Sequence, residues 1–210
     1  MPVHIPVGAV SLDGDLTLPA GARGLVIFAH GSGSSRFSKR NRYVARVLQE
    51  HGIGTLLIDL LTEAEEMIDR QTHALRFDIP LLAARLQGIS MWAATHPKLD
   101  HLKLGYFGAS TGAAAALIAA THRPQEIAAV VSRGGRPDLA MEFLPQVQAP
   151  TLLIVGERDS QVLAWNWQAL ERLNTQSCLE IIPRATHLFE EPGTLEEAAQ
   201  LAAEWFGHHF

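Results

Sequence analysis

Lys103-Leu104-Gly105-Tyr106-Phe107-Gly108-Ala109-Ser110-Thr111-Gly112 is the stretch on which the reading of this chain turns. Its first half, Lys103 to Phe107, is a mostly apolar run suited to a strand buried on both faces. Its second half carries the pattern G-x-S-x-G, and the Ala-rich segment from Gly112 to His122 reads as a helix of small residues. A strand running into the pentapeptide and a helix leaving it put Ser110 at the tip of a sharp turn. Small residues at 108 and 112 let neighbouring backbone approach, and the helix aims its positive N-terminal end at the serine. The pentapeptide alone also fits a Gly-rich turn whose serine caps the helix. The flanking strand and helix are what favour a nucleophile elbow.

Outward from the elbow, short apolar runs alternate with helical patterns. Val7 to Leu18 reads as an opening hairpin with Leu12-Asp13-Gly14-Asp15 at its turn. Strands follow at Leu25–Ala29, Thr55–Asp59, Lys103–Phe107, Ile127–Val131, Thr151–Val155 and Leu179–Ile182. Helices are expected at about 41–51, 77–95, 112–122, 162–173 and 194–206. Repeated β–α alternation with apolar strands implies a mainly parallel sheet covered on both faces. Only about twenty residues separate Val131 from Thr151, too few for a helical cap. With no Pro/Gly/Ser-rich linker, residues 1–210 read as one domain.

Bulk composition narrows the function classes. Apolar residues make up 47% of the 210 and charged residues 19%, an ordinary globular balance. The net charge is −5 with no long basic run, which argues against a nucleic-acid partner. The N-terminal residues lack a basic region followed by an apolar stretch, so no signal peptide is expected. The Ala-rich run is too short to span a bilayer. The single Cys178 excludes an internal disulfide, is expected to behave as a small buried hydrophobe, and fits a cytoplasmic location.

A serine hydroxyl needs a general base. Folds with this elbow order their partners as Ser, then acid, then His. Of ten histidines, His187 follows the last strand in Pro183-Arg184-Ala185-Thr186-His187-Leu188-Phe189, at the carboxyl edge where open α/β sheets place their sites. His122 would end the elbow helix, and His208 and His209 fall in an expected frayed tail. The acid is expected after the penultimate strand, in Gly156-Glu157-Arg158-Asp159. Asp159 is the natural partner for the imidazole, with Glu157 and Asp138 as rivals and helix N-capping as the alternative role. Two backbone donors should face the developing oxyanion: the N–H of Thr111 and one from His30-Gly31-Ser32-Gly33-Ser34-Ser35. Ser32 is favoured, Gly33 is the alternative donor, and Gly33 also counts as a substrate-binding candidate. This loop lacks the endings of phosphate-binding loops.

These segments together resemble the dienelactone hydrolase-like branch of the α/β-hydrolases. The resemblance is carried by Phe28-Ala29-His30-Gly31-Ser32-Gly33-Ser34, Phe107 to Gly112, Val155 to Asp159 and Ala185 to Phe189. It is closest to small bacterial hydrolases that sometimes occur fused to a phosphoribosyltransferase domain. It implies an α/β-hydrolase fold and hydrolysis of carboxylic esters of small substrates through an acyl-serine. Dienelactone hydrolases proper carry cysteine at the elbow, so Ser110 points away from dienelactone itself. Serine rather than aspartate there also argues against dehalogenase or epoxide hydrolase chemistry. A thioesterase or acyltransferase using the same triad, or a binding protein with a low-activity triad, are the competing readings.

No metal or organic cofactor is needed for such chemistry, and no zinc spacing such as H-E-x-x-H occurs. The expected partner is a small-molecule ester; a homo-oligomer is compatible with this reading. Two arginine groups follow carboxyl ends of strands: Arg36, Arg40 and Arg42, and Arg133 and Arg136. Surface pairing with the 22 acidic residues is the default for them, and Arg133 is the best candidate for binding an anionic substrate group. Trp165 and Trp167 are expected to pack rather than to bind.

Overall fold

The structure is a computed structural model and describes all 210 residues. Eight strands form one sheet: β1 (Pro2–Val7), β2 (Val10–Thr17), β3 (Gly24–Ala29), β4 (Gly54–Ile58), β5 (Lys103–Ala109), β6 (Ile127–Arg133), β7 (Thr151–Gly156) and β8 (Ser177–Ile182). Their spatial order is β1-β2-β4-β3-β5-β6-β7-β8. The β1–β2 and β2–β4 pairs are antiparallel and every other pair is parallel. Six helices complete the fold: α1 (Lys39–Glu50), α2 (Glu63–Thr72), α3 (Ile79–Thr95), α4 (Thr111–His122), α5 (Ser160–Arg172) and α6 (Thr194–His209). No helix is long and apolar enough to cross a membrane.

Strand side chains alternate between two cores, as period-two geometry requires. In β3, Leu25, Ile27 and Ala29 pack with α3, α4 and α5, while Val26 and Phe28 pack with α1 and α6. In β5, Leu104 and Tyr106 join the first core and Phe107 the second. The seven residues of β5 lie near the middle of the sheet, so Ser110 emerges between neighbouring strand ends. The α4 residues Ala113 to Ala116 are fully buried; small side chains let this helix lie close to the sheet. The mainly parallel sheet, its helices on both faces and the lack of a separate cap agree with the fold class expected from the sequence.

Several local expectations need correction. The hairpin turn is Gly8-Ala9, with Gly8 at φ +59°, and Leu12 to Asp15 lie within β2. Asp-Gly is a strong turn signal, but Gly14 pairs with Ile58 in the sheet instead, where a Cβ would meet Leu57 O at 3.1 Å. Helix α2 is absent from the expected elements. Its Thr62 capping box and acidic first turn were legible, but its apolar stripe is too weak to announce it. Helix α3 starts at Ile79 because Asp78 caps it and Pro80 suits its first turn; Leu75–Phe77 forms a separate 3-10 turn. The C-terminus does not fray. Helix α6 runs to His209, and the Phe210 ring stacks on Phe206 at 5.5 Å. Cys178 lies in β8, half-buried, with its thiol donating to Glu180 at 3.2 Å.

Candidate active site

Strand β5 delivers Ser110 into a backbone conformation of φ +53°, ψ −123°. A non-glycine residue there stores about 1–3 kcal/mol of strain and persists only where its surroundings fix it. They do so from both sides. The Ser110 N–H donates to Arg133 O at 3.2 Å, and Ser110 O accepts from Ala113 N–H and Arg136 N–H, each at 3.1 Å. Gly112 is required by close approach: a Cβ there would sit 2.2 Å from Ala29 O. The loop after β3 is thereby held against the start of α4, whose first N–H groups have no intrahelical acceptor.

The acid and base candidates meet across two neighbouring loops. Asp159 Oδ2 lies 2.6 Å from His187 Nδ1. Asp159 stands at the N-cap position of α5, yet its side chain makes no capping bond, so the carboxylate is free for the imidazole. The two rivals are engaged elsewhere. Glu157 accepts from Arg184 N–H at 2.7 Å, and Asp138 holds Arg136 by two bonds of 2.8 and 2.7 Å. Gly156 makes the meeting possible, because a Cβ there would fall 2.4 Å from Ala185 O. The Arg158 N–H then donates to that same carbonyl at 2.9 Å. Residues Arg184 and Phe189 both take positive φ values, folding the loop back so that Phe189 is buried. His187 keeps 39% of its side chain exposed, whereas Asp159 keeps 14%. Ser110 and His187 line one pocket of about 230 Å³ with Ser32, Asn41, Arg40 and Arg133. His122 caps its own helix through Ile118 O, far along α4 from that pocket.

The candidate oxyanion donors occupy adjoining positions with one surprise. The Ser32 N–H donates to Thr111 Oγ1 at 2.8 Å. A hydroxyl that accepts this bond keeps its own hydrogen free to donate. Gly33, at φ +68°, does not line the Ser110 pocket; it lines a neighbouring polar cleft of about 840 Å³ with Arg76 and Glu66. The sequence reading also missed His30. Its half-buried ring places Nδ1 2.9 Å from Gly31 O, and its Nε2 accepts from Leu60 N–H at 3.2 Å. Burial lowers its pKa and favours the neutral ring, so His30 ties the candidate oxyanion loop to the end of β4. A histidine directly before the Gly/Ser loop was the available signal.

The dienelactone hydrolase family model matches residues 12–210. The chain belongs to the dienelactone hydrolase family. A structure of a dienelactone hydrolase from Anabaena variabilis is 62% identical, with a TM-score of 0.99, covering 100% of this chain and 97% of that one. Est1E from Butyrivibrio proteoclasticus, at 16% identity and a TM-score of 0.80, covers 99% of this chain and 98% of its own and shares the α/β-hydrolase fold. Curated proteins from two strains of Mycobacterium tuberculosis, named putative phosphoribosyl transferases, are 55% identical over 207 residues. That match covers 99% of this chain and 46% of each relative, so the chain spans about half their length.

In this dienelactone hydrolase family member the arginines sort by their partners. Arg36 pairs with Asp59 at the end of β4, and its N–H donates to the same carboxylate at 2.6 Å. Arg136 is held by Asp138 and lies 4.3 Å over Trp165, which accounts for that tryptophan as packing; Trp167 is exposed. Arg42 is exposed. Arg133 alone is deeply buried without a carboxylate partner, which removes it from surface pairing.

Proposed function

We propose that this chain is a serine hydrolase that cleaves small carboxylic esters. Its triad would be Ser110, His187 and Asp159. The observation that carries the reading is the 2.6 Å contact between His187 and Asp159 beside the pocket that Ser110 lines.

In the first step the Ser110 hydroxyl oxygen attacks the ester carbonyl and its proton passes to His187. Asp159 holds the ring so that Nδ1 carries a proton and Nε2 is available as base. The tetrahedral oxyanion is stabilised by Thr111 N–H and by the Thr111 hydroxyl hydrogen, because the Ser32 N–H expected as the second donor is already given to Thr111 Oγ1. Collapse expels the alcohol, protonated by His187, and leaves an acyl-serine. Water, deprotonated by His187, then attacks the acyl carbonyl; Ser110 departs with the proton, and the free acid is released.

Turnover of p-nitrophenyl acetate by wild type and Ser110→Ala tests the reading. Wild type should release p-nitrophenol and Ser110→Ala should fall by at least about a thousandfold. Equal rates in the two proteins would remove Ser110 as nucleophile.

A further inference from the structure

The Gly/Ser loop after β3 borders two spaces. One is the Ser110 pocket of about 230 Å³, and the other is the cleft of about 840 Å³. Ser34 and Ser38 line both, so the two adjoin along this loop. The proposed acyl transfer uses no side chain of the cleft. Leu61 and Phe37 are the apolar residues among its lining. Sites for apolar ligands are lined mainly by hydrophobic and aromatic side chains, so this cleft suits a hydrophilic occupant.

Its charges are largely spent on neighbours. Arg36 pairs with Asp59, Arg76 with Asp69, and Arg70 lies 3.9 Å from Glu66. Asp13 and Glu63 also line the cleft, so carboxylates outnumber arginines there and an anion is disfavoured. What remains is hydrogen-bonding capacity of both kinds. Ser35 Oγ accepts from Phe37 N–H and Ser38 Oγ from Asn41 N–H, each at 3.3 Å, and Thr62 Oγ1 accepts from Glu65 N–H at 3.2 Å. Each of these hydroxyls keeps its own hydrogen to donate. Arg76 spends Nε and Nη2 on Asp69, leaving Nη1 beside Gly33, where a Cβ would lie 3.2 Å from it. The Glu66 carboxylate supplies acceptors, since Arg70 stands beyond hydrogen-bond distance.

Interleaved donors and acceptors match a group rich in hydroxyls, each of which both donates and accepts. An ammonium-type cation, a donor only, would leave the hydroxyl hydrogens and Arg76 Nη1 unused. Phe37 adds a ring that is 56% exposed, a surface on which the C–H face of a sugar can pack.

We propose that this cleft binds a neutral polyhydroxylated group such as a sugar ring, and that this group is the alcohol portion of the ester cleaved at Ser110. This substrate class rests on the hydrolase reading above. The smaller Ser110 pocket takes a short acyl group, and the larger cleft takes the alcohol.

The test compares three acetyl esters, so that the acyl group is constant: 6-O-acetylglucose, butyl acetate and acetylcholine. Wild type should favour 6-O-acetylglucose in kcat/KM. The ratio of 6-O-acetylglucose to butyl acetate should fall about tenfold in Glu66→Ala and in Phe37→Ala. Phe37 is exposed and Glu66 is half-buried on α2, so neither substitution opens the core. Calorimetric titration of methyl glucoside into Ser110→Ala, with and without Glu66→Ala, gives a readout without turnover; binding should be lost with Glu66→Ala. Glu66-dependent binding of methyl glucoside in a protein that cleaves no ester would uphold the cleft and sink the hydrolase reading. Butyl acetate turnover with a ratio unchanged in both variants, and no methyl glucoside bound, would overturn the cleft and leave that reading standing. A preference for acetylcholine over 6-O-acetylglucose would assign the cleft to a cation and overturn the proposal.

Discussion

His187 Nδ1 and Asp159 Oδ2 lie 2.6 Å apart although 28 positions separate the residues in sequence. The carboxylate makes no capping bond to α5, which leaves it to the imidazole. Asp159→Asn keeps the shape but presents a donor as well as an acceptor. In the proposed mechanism kcat for p-nitrophenyl acetate should fall by about 10,000-fold with little change in thermal stability. A kinetic comparison paired with a melting curve checks this, and retained kcat would move the acid to another residue.

The base assignment separates His187 from the other histidines. His187→Ala should remove activity by about 100,000-fold or more, while His122→Ala should keep it. His122 bonds only within its own helix, through Ile118 O and Thr121. Steady-state rates of the two variants decide between them.

The bond from Ser32 N–H to Thr111 Oγ1 makes the candidate oxyanion loop depend on a side chain. Thr111→Val removes the acceptor and the free hydroxyl hydrogen but keeps β-branching. A loss of about 10- to 100-fold in kcat with KM nearly constant is expected, since the missing interaction would act mainly on the oxyanion. A change confined to KM would mean that the hydroxyl only shapes the ground state.

Gly156→Ala tests how the acid and base loops meet. The added Cβ would lie 2.4 Å from Ala185 O, a backbone atom with no flexible end to yield. The loop carrying His187 must shift, at a cost of about 1–3 kcal/mol, which lowers Tm by several degrees in a chain of this size. The expected result is lower kcat together with lower Tm, read by kinetics and calorimetry; a wild-type Tm would show that the loop adapts.

Acid stability should depend on Glu65. Its hydrogen bond with Arg85 holds the carboxyl at about 2, below the ordinary 4.5. A depressed folded-state value means stability that is fully present above pH 4.5 and is lost as pH falls from 4.5 toward 2. Glu65→Gln removes that titration. Wild-type Tm should therefore decline more steeply than the variant's across this window, and parallel curves would show that the Arg85 pair adds nothing.

Much of the fold was legible because buried parallel strands must be apolar throughout. Leu25 to Ala29 and Thr151 to Val155 announce themselves by composition. The hairpin turn was misplaced because Asp13-Gly14 satisfies turn chemistry locally, while pairing of Gly14 with Ile58 overrides it. Helix α2 escaped because its stability draws on Asp69–Arg76 and Glu65–Arg85 pairs formed with residues beyond the helix, rather than on an apolar stripe.

The sequence by itself determined the order of the candidate groups: an elbow serine, then a carboxylate, then a histidine, each after the carboxyl end of a strand. Strand and helix periodicities are local properties, so they survive in one dimension. Only the tertiary structure decided which carboxylate is free, since Glu157 and Asp138 are excluded by partners brought from elsewhere in the fold. It also decided that Ser32 N–H meets a threonine hydroxyl 79 positions away, and that Arg133 is buried without a counter-charge. Pairing and desolvation depend on what folding brings within a few ångströms, and no spacing along the chain encodes that distance.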